Sequence, residues 1–322
     1  MKLKAKAKTK APKVNRALAI KLAALGVAGD FAKLSLALRD IERQGDVDEP
    51  RTWEYFARRF RLWIESGLTG PVPFSIFAEK GNKKLPFFAF SSLPGFDCPG
   101  AGACLFGDRP KGKGKEFWKG WCYSFTAWRY PAAFLRQLQN SILLRFGNQI
   151  IESAWERIPA NKILRLYVDG DFYSLATLRF WMRLVRERPD LDVYGYSKSW
   201  QLFLALDKQG FAWPSNYMLN LSSGSKHGDA LRARMEKISC VRGDFVAVPV
   251  NRKWIDSKAY QDKGNEGSKE YRAEVLQVLR ETHPNEKHFA CPGNCGNCIP
   301  NGKQACGNKD LSGVVIGIGI HA

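Results

Sequence analysis

Histidine and negative charge are both scarce in this sequence. Only four histidines occur in 322 residues, so acid–base catalysis by imidazole has few candidates. There is no Walker A lysine loop, which argues against ATP-driven unwinding by this chain. The absence of HExxH and GxSxG removes the zincins and the nucleophile-elbow hydrolases. The absence of a His-hydrophobic-His motif argues against the nicking endonucleases that use one. No run of about 18 apolar residues occurs, so no membrane span is expected. No internal repeat is visible.

The shortage of acid leaves a large positive excess. Fifty Lys and Arg stand against 31 Asp and Glu, a net charge of +19, with an isoelectric point near 9.6. Such a chain attracts polyanions and gains phosphate affinity through counterion release. Aromatics at 12% add stacking surface. Nucleic acid is therefore the expected partner, ahead of an anionic membrane surface. The N-terminal MKLKAKAKTKAPK imitates the start of a signal peptide, but Lys21 interrupts the apolar stretch that follows. The expected location is the cytoplasm.

Four regions follow from the pattern. Residues 1–14 read as a disordered basic arm carrying Lys2, Lys4, Lys6, Lys8 and Lys10. Residues 15–72 read as helices, with Gly26 and Gly29 breaking the first and a loose likeness to a helix-turn-helix around Gly26. Residues 73–285 read as an α/β core, and residues 286–322 as a cysteine segment with a last strand. In the core, LPFFAFSSLP reads as a strand and Tyr130–Phe146 as a helix. ILRLYVDGDF, LDVYGYSKSW and NYMLNLSSGS read as strands separated by helices, the first of them capped by Ser174. Residues 230–285 read as charged and mixed. Strand–helix–strand spacing predicts a mostly parallel sheet, open or partial-barrel-like, with chemistry at the carboxyl ends of its strands. Those ends carry DGDFYS, YSKSW and SSGSKHGD. Asp171 and Lys198 are the catalytic candidates there. Asp169 and Asp171 can pair to bind a hard cation, or serve as turn residues. Ser222–Asp229 can cradle an anion.

The cysteines carry the strongest signal. Cys291-x3-Cys295-x2-Cys298-x7-Cys306 places four thiols in a short glycine-punctuated run. Four thiolates suit tetrahedral zinc or an iron–sulfur cluster, and tight cysteine spacing in a reducing compartment favours metal over disulfides. The pattern leans toward a cluster. Its Cys-x3-Cys-x2-Cys core coincides with the triplet of radical S-adenosylmethionine enzymes. There, however, the triplet lies early in the chain, just after the first barrel strand, and an aromatic usually precedes its last cysteine; Asn297 stands in that place here. A second group, Cys98-x5-Cys104-x17-Cys122, lies in a long loop rich in glycine, lysine and aromatics. Two sites, one shared site, or a three-cysteine cluster with an open position all fit. Cys240 can complete a set or be an ordinary buried cysteine, and His283 and His288 are further candidate ligands.

Several segments together resemble one family, the domain named after gene product 88 of mycobacteriophages and found on phages and plasmids. They are FSSLPGFDCPGAGAC, GWCYSFTAWRYP, RLYVDGDFYSLATLRFWMRLVRERPDLDVYGYSKSW, NYMLNLSSGS and CPGNCGNC. The resemblance covers roughly residues 85–322 and points to Cys98, Cys104, Cys122, Arg129, Tyr130, Pro131, Gly170, Asp171, Phe172, Lys198, Cys291, Cys295 and Cys298. Asp169 stands where the family pattern has Ser, so a paired-carboxylate role is not inherited.

A mobile-element setting, the charge and the missing ATPase motif make the chain similar to an origin-binding plasmid replication initiator. The leading expectation is accordingly a metal-stabilised DNA-binding protein that meets host replication proteins. Lys111, Lys113, Lys115, Lys119 and Arg129 would join the arm on phosphates. One rival is an iron–sulfur enzyme, possibly radical-type, with its site at the strand ends. Another is a structural zinc protein acting through host factors.

Overall fold

A computed structural model of the chain describes residues 16–79, 85–106, 122–250, 269–293, 295, 298 and 305–320. Its centre is one seven-stranded sheet in the order β1-β2-β3-β4-β5-β7-β6. The strands are β1 (Phe88–Ala89), β2 (Ile163–Leu166), β3 (Asp192–Ser197), β4 (Tyr217–Ser222), β5 (Val241–Val248), β6 (Lys287–Ala290) and β7 (Val314–Gly319). Every neighbouring pair is parallel. The expected α/β architecture with a parallel sheet is therefore present. The sheet is open, and residues from β2, β3, β4, β5 and β7 line one cavity on its inner side.

Three strand readings need correction. The apolar run LPFFAFSSLP supplies only the two residues of β1, and the rest turns away as loop. The segment read as charged and mixed contains β5. Its alternation is hidden by Arg242, which is 1% exposed yet bonded to Asn220 Oδ1 at 2.6 Å and to the carbonyls of Leu311, Val314 and Asp244. A fully bonded guanidinium can occupy a strand position that hydropathy assigns to solvent. β6 lies in the stretch that reads only as a cysteine segment.

The outer side of the sheet is covered by helices. The helices are α1 (Arg16–Ala28), α2 (Phe31–Glu42), α3 (Trp53–Glu65), α4 (Ala103–Phe106), α5 (Pro131–Phe146), α6 (Asn148–Glu156), α7 (Leu175–Glu187), α8 (Trp200–Asp207), α9 (Asp229–Met235) and α10 (Lys269–Thr282). Ser174 caps α7 by accepting from Thr177 N, as its sequence suggests. One hydrophobic core joins α1–α3 to α5–α9 and to Leu164, Leu166, Val193, Tyr217, Leu219 and Leu221 of the strands. Helix α10 covers the far end of the sheet, with Tyr271, Val275 and Leu279 in a smaller core. Gly317 lets β7 approach it, since a Cβ there would stand 2.7 Å from Leu279 Cδ1.

Gly26 is not a helix breaker. Helix α1 runs through it, and a Cβ at this position would stand 2.6 Å from Leu138 Cδ1 of α5. The turn falls at Gly29, whose φ of +73° suits glycine. Asp30 then caps α2 by accepting from Lys33 N. The proposed basic arm lies outside the described residues.

Candidate functional site

The chain leaves β1 into the first cysteine loop, which is anchored from below. Asp97 is fully buried and accepts hydrogen bonds from Leu93 N (3.2 Å), Ser141 Oγ (2.5 Å) and Arg145 Nη2 (2.7 Å). That network pins the backbone next to Cys98 onto α5. The loop then crosses the ends of β3 and β4. Gly100 O accepts from Lys226 N at 3.0 Å, and Gly102 N donates to Gly224 O at 3.0 Å. A Cβ at Gly100 would lie 1.7 Å from Lys198 O, and one at Gly102 would lie 2.6 Å from Lys226 N. Only glycine permits this seating, which is why CPGAGAC has its form.

The strand ends that the sequence singled out converge beneath this loop. After β2 the backbone turns through left-handed conformations at Tyr167 (φ +57°) and Gly170 (φ +80°). Asp171 Oδ1 accepts from Phe172 N and Ser197 Oγ, both at 2.7 Å, and Oδ2 accepts from Lys198 N at 2.8 Å. It therefore ties the end of β2 to the end of β3. Burial raises its carboxyl above the ordinary aspartate value despite these bonds. Asp169 turns elsewhere and accepts from Gln137 Nε2 at 3.0 Å. Burial raises it too. The two carboxylates thus serve separate partners, and neither is a free base.

Lys198 Nζ donates to Ser222 Oγ at 2.7 Å, joining the ends of β3 and β4. The Ser222–Asp229 loop is not the open anion cradle expected of it. Ser222 receives Lys198, Ser223 Oγ accepts from Ala247 N, and Ser225 Oγ donates to carbonyls of Gly100 and Lys198.

Cys98, Cys104 and Cys122 gather at this mouth. Cys122 N donates to Cys104 O at 2.9 Å, and Cys98 and Cys104 share one small apolar cluster. Burial raises the thiols of Cys98 and Cys122, while Lys198 opposes the shift at both. The C-terminal group comes from the β6–β7 connection and lies against the inner face of the sheet. Cys291, Cys298 and Cys306 are buried there beside Tyr194 and Met218, with Cys295 packed against them. Burial pushes the Cys306 thiol up to about 12, opposed by the Arg242 guanidinium and a hydrogen bond from Tyr196.

Both groups face one cavity of about 390 Å³, which is also lined by Arg165, Tyr123, Tyr194, Tyr196, Asp171 and Lys198. Among the described residues, however, no three His, Cys, Asp or Glu side chains are gathered tightly enough to hold a metal ion. The metal-binding reading of the C-terminal segment is not borne by its geometry. Much of the backbone joining Cys291 to Cys306 lies outside the described residues. All eight cysteines are free thiols. Cys240 does not complete either group, because it is buried in the helix-side core across the sheet. His283 and His288 are engaged with Thr282 and the His283 carbonyl and do not line the cavity.

Among the expected phosphate contacts, Arg129 is exposed beside Tyr130, which is 62% exposed. The lysines of the arm and of the Lys111–Lys119 loop lie outside the described residues. Sequence reasoning missed Asp97, Arg165, Tyr194 and Arg242. The alternation of β2 and β3 was the available signal for Arg165 and Tyr194, since it puts both on the side opposite Leu164 and Val193. No described helix is long and apolar enough to cross a membrane.

No curated protein and no solved structure matches the chain. The gene product 88 family model matches residues 75–315, from the segment before β1 into β7, and so takes in both cysteine groups and the strand ends between them. By that match the chain belongs to the gene product 88 family.

Proposed function

We propose that this protein is an iron–sulfur enzyme whose reaction site is the cavity at the carboxyl ends of the parallel strands. The observation that carries this reading is the meeting of two cysteine groups, remote in sequence, on one cavity with Asp171 and Lys198. Cys98, Cys104 and Cys122, drawn closer together than they stand here, would hold a cluster with one coordination position left open to a small molecule. Cys291, Cys295, Cys298 and Cys306 face the same cavity but are given no second centre in this reading. The open cluster would supply one-electron chemistry to a group bound beside it. Lys198 would offset the charge of its thiolates, and Asp171 would keep Lys198 in place.

The position of the first group supports a radical-type enzyme by analogy. It follows β1, the first strand of the sheet, as the triplet of radical S-adenosylmethionine enzymes does. Its spacing is different. The C-terminal group, which has the matching spacing, stands elsewhere in the topology.

The test is metal and sulfide analysis, with visible and electron paramagnetic resonance spectra, on the full chain purified without oxygen. Iron with sulfide is expected. Substituting Ala at Cys98, Cys104 and Cys122 should remove the signal of an open cluster. Zinc alone without visible absorbance would sink the reading.

The net charge of +19 favours a second role, contact with nucleic acid, through the arm, the Lys111–Lys119 loop and Arg129. Replacing those lysines with Ala should weaken DNA binding and flatten its salt dependence. Salt-independent binding would count against this role. A replication-initiator role draws no support from the fold or the family.

A further inference from the structure

We infer that the cavity recognises its small-molecule ligand by a carboxylate, which Arg165 and Tyr194 bind at the cavity floor. The inference rests on the reading of the cavity as a reaction site and adds the class of molecule that enters it.

Arg165 and Tyr194 are register partners on β2 and β3, so their side chains leave the sheet side by side on the inner face. The Arg165 guanidinium lies over the Tyr196 ring, 4.4 Å from its centroid. One edge contact is made: Nη2 donates to Tyr123 Oη at 3.4 Å, while that hydroxyl donates to Val168 O at 2.5 Å. Nε is buried and has no hydrogen-bond partner. Among the described residues Arg165 forms no ion pair. Asp169, the carboxylate that acts on it electrostatically, is occupied by Gln137, Ser124 and Ser91. Tyr194 is 1% exposed, and its hydroxyl is also buried without a partner.

Two adjacent donors left unpaired at the floor of one cavity are costly in an empty fold. They become favourable when an acceptor arrives. The guanidinium presents coplanar N–H groups that match the two oxygens of a carboxylate, and a tyrosine hydroxyl adds a third donor. The remaining wall includes Leu85, Val168, Phe245 and Ile318. Of the two cations on the cavity, Lys198 lies beyond the strand ends and is engaged by Ser222, so the floor offers Arg165 alone, which suits a monoanionic carboxylate better than a doubly charged phosphate. Small-molecule sites typically combine an apolar lining with a few such groups. Arg165 sits within β2, whereas Lys198 and Cys98 lie beyond the strand ends. A ligand held by its carboxylate would therefore point its other end toward the first cysteine group.

The experiment uses the full chain purified without oxygen, with iron measured on the same sample. Binding of 3-phenylpropionate, its uncharged amide and phenethyl phosphate is followed by calorimetry. The carboxylate should bind at least about tenfold more tightly than the amide, the scale of a charged hydrogen bond. Arg165→Gln should bring the carboxylate down to the amide's affinity, Arg165→Lys should fall between, and neither should change metal content. Tyr194→Phe, which conserves volume, should weaken carboxylate binding and leave amide binding alone. Equal binding of acid and amide, no binding of either, or preference for the phosphate would overturn the inference. So would loss of metal from Arg165→Gln, because Arg165 would then be a counter-charge for Cys295. Carboxylate binding to protein that carries no iron would defeat the enzyme reading and leave this subsite standing.

Discussion

The outer and inner sides of the sheet are made by the same strands one residue out of step, yet they are built on different principles. On the outer side Leu164, Leu166, Val193, Leu219 and Leu221 enter a sealed apolar core with the helices. On the inner side Arg165, Tyr194, Tyr196, Asn220 and Arg242 stand with the cysteines. The outer side is held by burial and aromatic contact. The inner side adds hydrogen bonds of buried polar groups to a smaller apolar cluster, and both sides leave some buried donors unpaired. Helix-packed core and cavity lining are thus divided by the period of two along each strand.

The sharpest way to break this comparison is to truncate a large side chain of the outer core and to remove an unpaired hydroxyl from the inner side. Trp181 on α7 is fully buried, lies 4.8 Å from Phe90 and 6.0 Å from Trp155 between ring centroids, and donates from Nε1 to Tyr167 Oη at 2.8 Å. Trp181→Ala should cost about 3–5 kcal/mol in urea unfolding. Tyr194→Phe on the inner side should cost less than about 1 kcal/mol, because its hydroxyl has no partner to lose. Equal losses from the two substitutions would mean that the inner face is as tightly committed to stability as the outer.

A smaller effect is expected where the first cysteine loop meets the strand ends. In Gly100→Ala the new methyl would meet the Lys198 carbonyl, which is backbone and cannot swing away. Overpacking of this kind costs about 1–3 kcal/mol. The strain should fall on the loop, so Cys98, Cys104 and Cys122 should react faster with a thiol reagent while the helix-side core stays intact. Unchanged thiol reactivity would show that the loop is not clamped to β3 at this glycine.

The outer side was legible in the sequence and the inner side only partly so. Ser174, the α7 pattern and the alternation of LDVYGY announce their elements because hydropathy and capping act locally. The strand-end motifs were also found, since parallel topology alone directs attention to them. Convergence of the two cysteine groups was not readable, because no local rule brings Cys291 to Cys98. Arg165 was passed over because an isolated arginine in a strand reads as solvated, and only the fold reveals the enclosing cavity. Arg242 concealed β5 for the same reason. Gly26 reads as a turn because a close helix contact and a helix break both call for glycine.

The smallest effect concerns charge at the periphery, where the helical layer meets water. Glu65 on α3 accepts from Ser35 Oγ at 2.5 Å, Arg39 Nη2 at 3.0 Å and Arg61 Nη1 at 2.5 Å. The Ser35 hydrogen bond, with help from the two arginines, holds its carboxyl below the ordinary glutamate value of 4.5. A depressed folded-state pKa adds stability that is complete above the unfolded value and is lost as pH falls through the folded one. Solvent screening keeps the contribution small, since the Glu65 side chain is 34% exposed. Urea midpoints of wild type and Glu65→Gln should therefore differ modestly at neutral pH and converge in acid, with the wild type the more stable where they differ. A gap that stays constant across that range would assign the role of Glu65 to neutral hydrogen bonding. The charges at the rim of the helical layer would then resemble those of the inner face, where Asp171 acts by positioning Ser197 and Lys198.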